Sequence, residues 1–326
     1  MNGEGPDGAR MMTGGLLALL ATLTFALNSA VYRRGALTGT AAQALAISLP
    51  LGSAIFLAAV SATGAWGALA RFSPEALGSL ALAGAVHFGF GRYCDFRATR
   101  AMGANLVGPP RQLSLVVSLL LAAFVLGETL TAPRLAGIAL VMAAPLLTWR
   151  PEAPPSPGVA PPGASSPGTD PPGTGFRPNY REGYAFALLS ALGFGASPIL
   201  VRTALRDTGF AASLAGGLVA YAAATLVVLP FMLRPARRAE IRAVTPTSLR
   251  WFSGAGVLVC VSQMANYMAL AFAPVSVVAP IHRLSLVFRI FVNTWLNRDH
   301  EVPGGRVWAA TLIGLAGALL LTLPLT

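Results

Sequence analysis

The chain has 326 residues, of which 55% are hydrophobic and only 11% are charged, and its mean hydropathy is +0.65. A soluble globular domain carries about 25% charged residues, so this composition excludes an ordinary soluble protein. The net charge is +11, and all 23 basic residues are arginine. We interpret these arginines as helix-end residues that meet anionic membrane lipids, and we expect no nucleic-acid partner.

Apolar runs of about 20 residues recur along the chain, and each is long enough to cross a bilayer as a helix. Residues 1–12 form a polar tail, and we expect no cleavable signal peptide because the apolar run that follows is too long for one. The first five predicted spans cover residues 13–32, 41–62, 76–96, 103–128 and 133–149. The pattern predicts an all-α integral membrane protein that crosses the cell membrane several times.

Composition changes abruptly at residues 150–180, a stretch dense in Pro, Gly and Ser with no apolar period. Such a segment cannot bury a core, which favours a disordered or polyproline-like linker. It separates a first half, residues 13–149, from a second half, residues 181–326. The predicted spans of the second half begin with an apolar run that includes residues 188–203 and continue at 211–233, 251–272, 275–296 and 306–323.

The second half repeats the first. In the fourth span, Pro109-Pro110 and Arg111 precede the sequence LSLV, and a shift of 171 positions places Pro280 and His282 before a second LSLV. The repeat predicts ten transmembrane helices as two five-helix repeats. Because five is odd, the two repeats are inverted in the membrane, as in many secondary transporters. In each repeat we expect the proline to break the apolar helix just before a buried cation.

The doubled five-helix repeat resembles the EamA-type drug/metabolite transporters. The resemblance is carried by the short connection RATRAMG between the third and fourth spans, by a proline in the fourth span, and by Leu126-Gly127-Glu128 at its end. It implies a transporter of small organic solutes. The second half departs from the pattern at residues 296–301, LNRDHE, and we therefore interpret Glu128 as a helix-end carboxylate at the membrane interface.

Polar side chains within the spans are the candidate substrate-binding residues. His282, Ser285 and Arg289 follow one another at helical spacing along the ninth span. Arg283 lies beside this line, and the repeat makes Arg111 and Ser114 of the fourth span the counterparts of His282 and Ser285. Asn28 in the first span and His87 in the third complete the set, Arg111, Ser114, His282, Arg283, Ser285, Arg289, Asn28 and His87.

Two interpretations of the buried arginines stay open: they line a substrate path, or they lock the helix bundle. Asp95 is the one carboxylate within a predicted span, and Arg92, three residues before it, is its expected partner. The two cysteines, Cys94 and Cys260, indicate neither a disulfide framework nor a metal site, and we expect no cofactor.

The leading functional interpretation is a secondary transporter that moves a small organic metabolite by alternating access. The excess of buried cations favours an anionic or zwitterionic metabolite. The alternatives are a multi-pass membrane enzyme such as a prenyl or acyl transferase, which would need paired aspartates or an exposed His-Asp pair, and a membrane scaffold that transports nothing. Expected partners are the small-molecule substrate and membrane lipids, and a monomer is plausible.

Orientation in the membrane has two opposing indications. With ten spans, both termini lie on one side, here called the termini end, and the linker lies on the other, the linker end. Most arginines between the spans fall at the linker end, so the positive-inside rule places the termini outside the cell. The family resemblance implies termini inside the cell.

We predict that deletion of residues 154–172 leaves folding and transport intact, because nothing in this segment can bury a core. The measurement compares the folded yield, by size-exclusion chromatography, and the transport rate of the deletion variant with those of the full chain. Loss of folded yield would show that the linker has a structural role.

Overall fold

The computed structural model describes residues 6–36, 38–102, 104–148, 179–296 and 305–322, so nearly all of the predicted linker lies outside the described residues. The elements in these ranges are all helices. In chain order they are α1 (Pro6–Ala36), α2 (Ala41–Thr63), α3 (Trp66–Leu69), α4 (Pro74–Gly84), a π-helix (Ala85–Gly91), α5 (Arg92–Met102), α6 (Ala104–Leu126), α7 (Ala132–Thr148), α8 (Tyr180–Leu205), α9 (Phe210–Met232), α10 (Pro235–Arg242), α11 (Pro246–Phe272), α12 (Val275–His282), α13 (Ser285–Leu296) and α14 (Gly305–Thr322).

Helix length and exposed apolar surface identify a multi-pass membrane protein. Within the described residues, five helices are long and apolar enough to cross a bilayer, namely α1, α2, α8, α9 and α11, and four further apolar stretches are shorter. Phe124 on α6 is 84% exposed and Leu226 on α9 is 67% exposed. Lipid rather than water is the solvent that stabilises such surfaces.

The third predicted span is a composite of α4, the π-helix and α5. Ser73 caps α4 by accepting a hydrogen bond from the backbone N–H of Ala76, and Pro74 occupies the first turn. The corresponding span of the second half, α11, begins in the same way with Thr245 as the cap and Pro246 in the first turn. The π-helix is a local widening of the backbone that is common at functional sites, and it contains His87.

The predicted proline break differs between the halves. In the second half the helix ends at His282, two residues after Pro280, and resumes at Ser285. In the first half the prediction is wrong, because α6 continues through Pro109 and Pro110 to Leu126. These two prolines lie within the first two turns of α6, so the carbonyls that lose a donor lie close to the helix start.

The two halves interlock, with each first helix packed against the other half. The first helix, α1, packs most extensively against α11, and its counterpart α8 packs against α4, the π-helix and α5. The fourth spans follow the same rule, because α6 packs against α8 while α12 and α13 pack against α1. These contacts of the first and fourth spans therefore correspond between the two halves.

Two helix crossings pair equivalent helices directly. Gly52 of α2 lies beneath the ring of Tyr221, and Gly217 of α9 lies beneath the ring of Phe56, with the two ring centroids 5.1 Å apart. At the crossing of α7 and α14, a Cβ on Gly137 would lie 3.0 Å from the carbonyl oxygen of Gly317, and one on Gly317 would lie 2.9 Å from that of Gly137. Reciprocal contacts of this kind indicate a two-fold relation between the halves.

Close helix contact at Gly84 gives a test of the fold. A Cβ at Gly84 would overlap the carbonyl oxygen of Ala220 on α9, whereas Gly78 on the same helix is exposed and has open space beside it. We predict that Gly84→Ala lowers the melting temperature, because overpacking costs about 1–3 kcal/mol.

The matched control is Gly78→Ala, which should leave the melting temperature unchanged or raise it, since alanine stabilises a helix interior by about 0.5–1 kcal/mol relative to glycine. Thermal unfolding of the purified variants in detergent measures both effects. Equal melting temperatures for the two variants would contradict the close approach of α4 and α9.

Candidate functional site

Arg283 lies at the break between α12 and α13 and reaches across to the other half. Its Nη2 atom donates a hydrogen bond to Ser114 Oγ at 2.6 Å, and its Nη1 atom donates one to Gln112 Oε1 at 3.4 Å. The repeat offset of 171 makes Gln112 the counterpart of Arg283 in the first half. This contact therefore joins equivalent positions of the two halves, and the residues around it are called the central group below.

The partners of Arg283 are neutral in the part of the chain that the structure describes. Its Nε atom is buried and has no hydrogen-bond partner there, although both Nη atoms do. Ser114 is itself buried, and its hydroxyl donates to the carbonyl oxygen of Arg111. No carboxylate among the described residues neutralises the guanidinium, and its Nε–H can still donate a hydrogen bond to a bound group.

Arg111 forms an ion pair with Asp95 of α5. The expected pair of Asp95 with Arg92 is therefore wrong. The Arg92 guanidinium turns back over the ring of Phe88, one turn earlier on its own span, with 5.5 Å between the guanidinium carbon and the ring centroid. Asp95 is 19% exposed and Arg111 is 39% exposed, so this pair is in contact with solvent-accessible space.

His282, next to Arg283, packs against α1. Its ring centroid lies 5.3 Å from that of Phe25, and its Nδ1 atom is buried without a hydrogen-bond partner among the described residues. The hydroxyl of Thr22 on α1 donates to the carbonyl oxygen of Ala18 at 2.6 Å and also lies 3.3 Å from that of Ile281. Asn28 is buried on α1, one turn beyond Phe25.

His87, in the π-helix, occupies a similar setting in the other half. Its ring lies between those of Phe88, at 4.6 Å, and Phe194, at 5.1 Å. The repeat offset of 169 matches Phe194 with Phe25, so the two phenylalanines at equivalent positions of α8 and α1 each contact a histidine. Both histidines thus lie where the first helix of one half packs on the other half.

The structure brings some of the predicted site residues together and leaves others apart. Arg111, Ser114 and Arg283 form one continuous group through the contacts above, and His282 adjoins it. Ser285 is buried at the start of α13, two residues beyond Arg283. The side chain of Arg289, on the same helix, lies outside the described residues.

The sequence analysis missed one participant, Gln112, and gave another, Asp95, the wrong partner. Gln112 could have been found, because it is the repeat counterpart of Arg283 and polar residues at equivalent positions meet at a two-fold axis. Asp95 was identified as the carboxylate but assigned to the wrong arginine, and the signal for the correct partner is a contact between helices that sequence spacing does not contain.

At the termini end, Glu128 and Arg202 hold the connection between α11 and α12. The two carboxylate oxygens of Glu128 accept hydrogen bonds from the backbone N–H groups of Val275, at 2.8 Å, and Ser276, at 2.9 Å. Arg202 Nη1 donates to the carbonyl oxygens of Leu270 and Ala271, at 2.7 and 3.0 Å. Glu128 ends its own span as expected, but it also caps a helix of the other half.

A cavity of about 320 Å³ lies apart from this group, between α3 and the start of α9, where Arg71 and Thr208 line it. It contains none of the predicted site residues.

The sequence profile of the EamA-like transporter family matches the chain twice, over residues 12–150 and 181–323. A solved crystal structure has the same fold, with a TM-score of 0.69 and 19% sequence identity over 95% of this chain and 96% of the other. No curated protein matches the chain. The apolar helices and the double family match together define a multi-pass membrane protein. The chain belongs to the EamA-like transporter family, which confirms the resemblance noted in the sequence.

The Asp95–Arg111 pair gives a stability test. We predict that Asp95→Asn and Arg111→Gln each destabilise the protein, and that the double variant is less destabilised than the sum of the two, because either change alone leaves one partner unpaired. The coupling energy should be about 0.5–3 kcal/mol.

The matched control is the more exposed pair of Arg97 and Glu182, which links α5 to α8. Its coupling should fall in the range of exposed pairs, about 0.2–1 kcal/mol. Chemical unfolding of the two sets of single and double variants measures both couplings. Additive effects at Asp95 and Arg111 would show that this ion pair is absent in the membrane-embedded protein.

Proposed function

We propose that this protein is a secondary transporter that moves an anionic or zwitterionic small metabolite across the cell membrane by alternating access. The observation that carries the proposal is Arg283, a cation at a helix break in the centre of the molecule. Its hydrogen-bond partners within the described residues are the neutral side chains of Ser114 and Gln112.

The physical argument concerns the cost of an unneutralised charge at membrane depth. Insertion scales assign about 2.5–3.5 kcal/mol to an arginine at a helix centre. Arg111 reduces that cost through Asp95. Arg283 has only neutral partners in the described residues, so a carboxylate of the substrate would complete its coordination through Nε and one Nη atom.

The two arginines therefore take different roles in the proposal. Arg111 locks α6 to α5, and Arg283 binds the substrate together with Ser114. His282, Ser285, Asn28 and His87 line the same central region as secondary contacts. This division combines the two interpretations that the sequence left open, since one arginine is structural and the other faces the transport path.

For the architecture we propose ten membrane spans in two inverted five-helix repeats, residues 13–149 and 181–326, joined by the linker and preceded by the polar tail. The double match of the family profile supports the two halves. The reciprocal crossings at Gly52 and Gly217 support a two-fold axis between them. An odd number of spans in each half places that axis in the membrane plane.

Alternating access is supported by the different burial of the two ends. At the termini end, the start of α12 is sealed, with residues 275–281 at most 9% exposed among those with a stated value. Toward the linker end, where α6 begins, Arg111 is 39% exposed. We propose that this structure is open toward the linker end, and that the opposite state requires Glu128 and Arg202 to release α12.

A measurement of solute uptake distinguishes this proposal from the enzyme and scaffold alternatives. A prenyl or acyl transferase would convert a lipid substrate, and a scaffold would neither convert nor move a solute. The family is one of transporters, which supports the transport proposal at the level of class.

The test uses purified protein in proteoliposomes and a panel of radiolabelled carboxylates, amino acids and lipophilic cations. We predict uptake of a carboxylate or an amino acid by the wild type. Arg283→Gln should reduce it by about tenfold or more, because a hydrogen bond to a charged group contributes about 1.5–3 kcal/mol. Arg71→Gln, at an exposed arginine of the termini end, is the matched control and should transport as the wild type does.

The melting temperature of Arg283→Gln separates the two roles of a buried arginine. A value near that of the wild type, together with lost uptake, supports substrate binding. Unfolding of the variant would show that Arg283 is a structural lock. Uptake of the cations alone would contradict the anionic substrate.

A further inference from the structure

The corner between α9, α10 and α11 at the linker end carries the densest positive charge in the described part of the chain. Residues 234–250 contain five arginines and one glutamate. Four of the arginines are exposed, namely Arg234, Arg238, Arg242 and Arg250. Glu240 is already engaged by Arg237, with 2.7 Å between Nη1 and Oε2. Most of this charge therefore has no acidic partner among the described residues.

Two of these arginines converge on a single aromatic ring. The guanidinium carbon of Arg234 lies 5.3 Å from the ring centroid of Phe231, and that of Arg237 lies 5.5 Å from it. Two like charges held near one ring repel each other, and Glu240 neutralises one of them only. An anion that bridges Arg234 and Arg238, four residues further along, would neutralise the two exposed arginines that Glu240 leaves unpaired and accept hydrogen bonds from both.

The corner is fixed to the bundle and lies beside residues that are typical of the membrane boundary. Gln43 of α2 donates a hydrogen bond from Nε2 to the backbone carbonyl of Glu240 at 2.8 Å, which anchors α10. At the same end, the guanidinium carbon of Arg34 lies 5.1 Å from the ring centroid of Trp251. Tryptophan and arginine together are typical of the boundary between hydrocarbon and water.

Apolar side chains continue from the corner into the hydrocarbon. Leu226, Val227, Leu229 and Leu233, on the last turns of α9 and just beyond it, are 67%, 55%, 41% and 58% exposed. A ligand that contacts both the arginines and this apolar surface needs a negative headgroup and acyl chains. A soluble phosphate would bind the arginines only.

We propose that this corner, formed by Phe231, Arg234, Arg237, Arg238 and Arg242, is a binding site for an anionic phospholipid. The phosphate lies between Arg234 and Arg238, and the acyl chains lie along the exposed leucines of α9. This site is distinct from the central group around Arg283, and it does not depend on the proposed transport function. Its occupation would reinforce the packing of α10 against α2 and α9.

The test uses the full chain, delipidated in a neutral detergent, and measures thermal unfolding as phosphatidylglycerol or phosphatidylcholine is added. We expect phosphatidylglycerol to raise the melting temperature by several degrees and phosphatidylcholine to leave it nearly unchanged. In Arg234→Gln/Arg238→Gln the shift with phosphatidylglycerol should fall to less than half of the wild-type shift.

The matched control is Arg71→Gln/Arg206→Gln, which removes two exposed arginines at the termini end and should keep the full shift. Equal loss in both double variants would overturn the proposal, because it would reflect net charge alone. Equal shifts with the two lipids would also overturn it, as would an equal shift with soluble glycerol phosphate, which lacks the acyl chains.

Arg238→Gln alone keeps the test decisive if the double variant fails to fold, since Arg238 is exposed. Native mass spectrometry of this variant and of the wild type counts phosphatidylglycerol molecules that stay bound. One fewer bound lipid in the variant supports the site, and an unchanged count overturns it.

Discussion

The hydrogen bonds from Arg283 to Ser114 and Gln112 are the contact on which the centre of this protein depends. They join the two halves at the position where equivalent residues meet, and they do so with a charge. A hydrophobic contact there would hold the halves together equally well. It would leave no donor for a substrate, however, and no energetic reason for a negative charge to enter the membrane.

The packing around this centre explains how the halves interlock and still leave room for polar groups. Glycines at the crossings of α2 with α9 and of α7 with α14 bring the backbones close, so these contacts rest on van der Waals packing. Serine and threonine hydroxyls add bonds to backbone carbonyls across helices, such as Ser262 to Ala21 and Ser118 to Gly195.

The sequence predicted apolar helices and a repeat of about 170 residues, because hydropathy and repeated motifs can be read from the sequence alone. It did not predict which carboxylate meets which arginine. Asp95 lies at helical spacing from Arg92, but it pairs with Arg111 because α5 and α6 meet and Arg92 packs on Phe88 instead. The continuity of α6 through Pro109 and Pro110 was also missed, since the cost of a proline depends on its distance from the helix start.

Glu128 and Arg202 act on the end of α12 that lies opposite to Arg283. The carboxylate of Glu128 caps α12, and the guanidinium of Arg202 covers the last carbonyls of α11, so both charges act on the ends of the helices that flank one short connection. Arg283 stands at the other end of α12, only eight residues after Val275. A rigid helix of this length transmits a shift at one end to the other. In the transport cycle that we propose, a rearrangement of Arg283 on substrate binding would therefore act directly on the Glu128 cap.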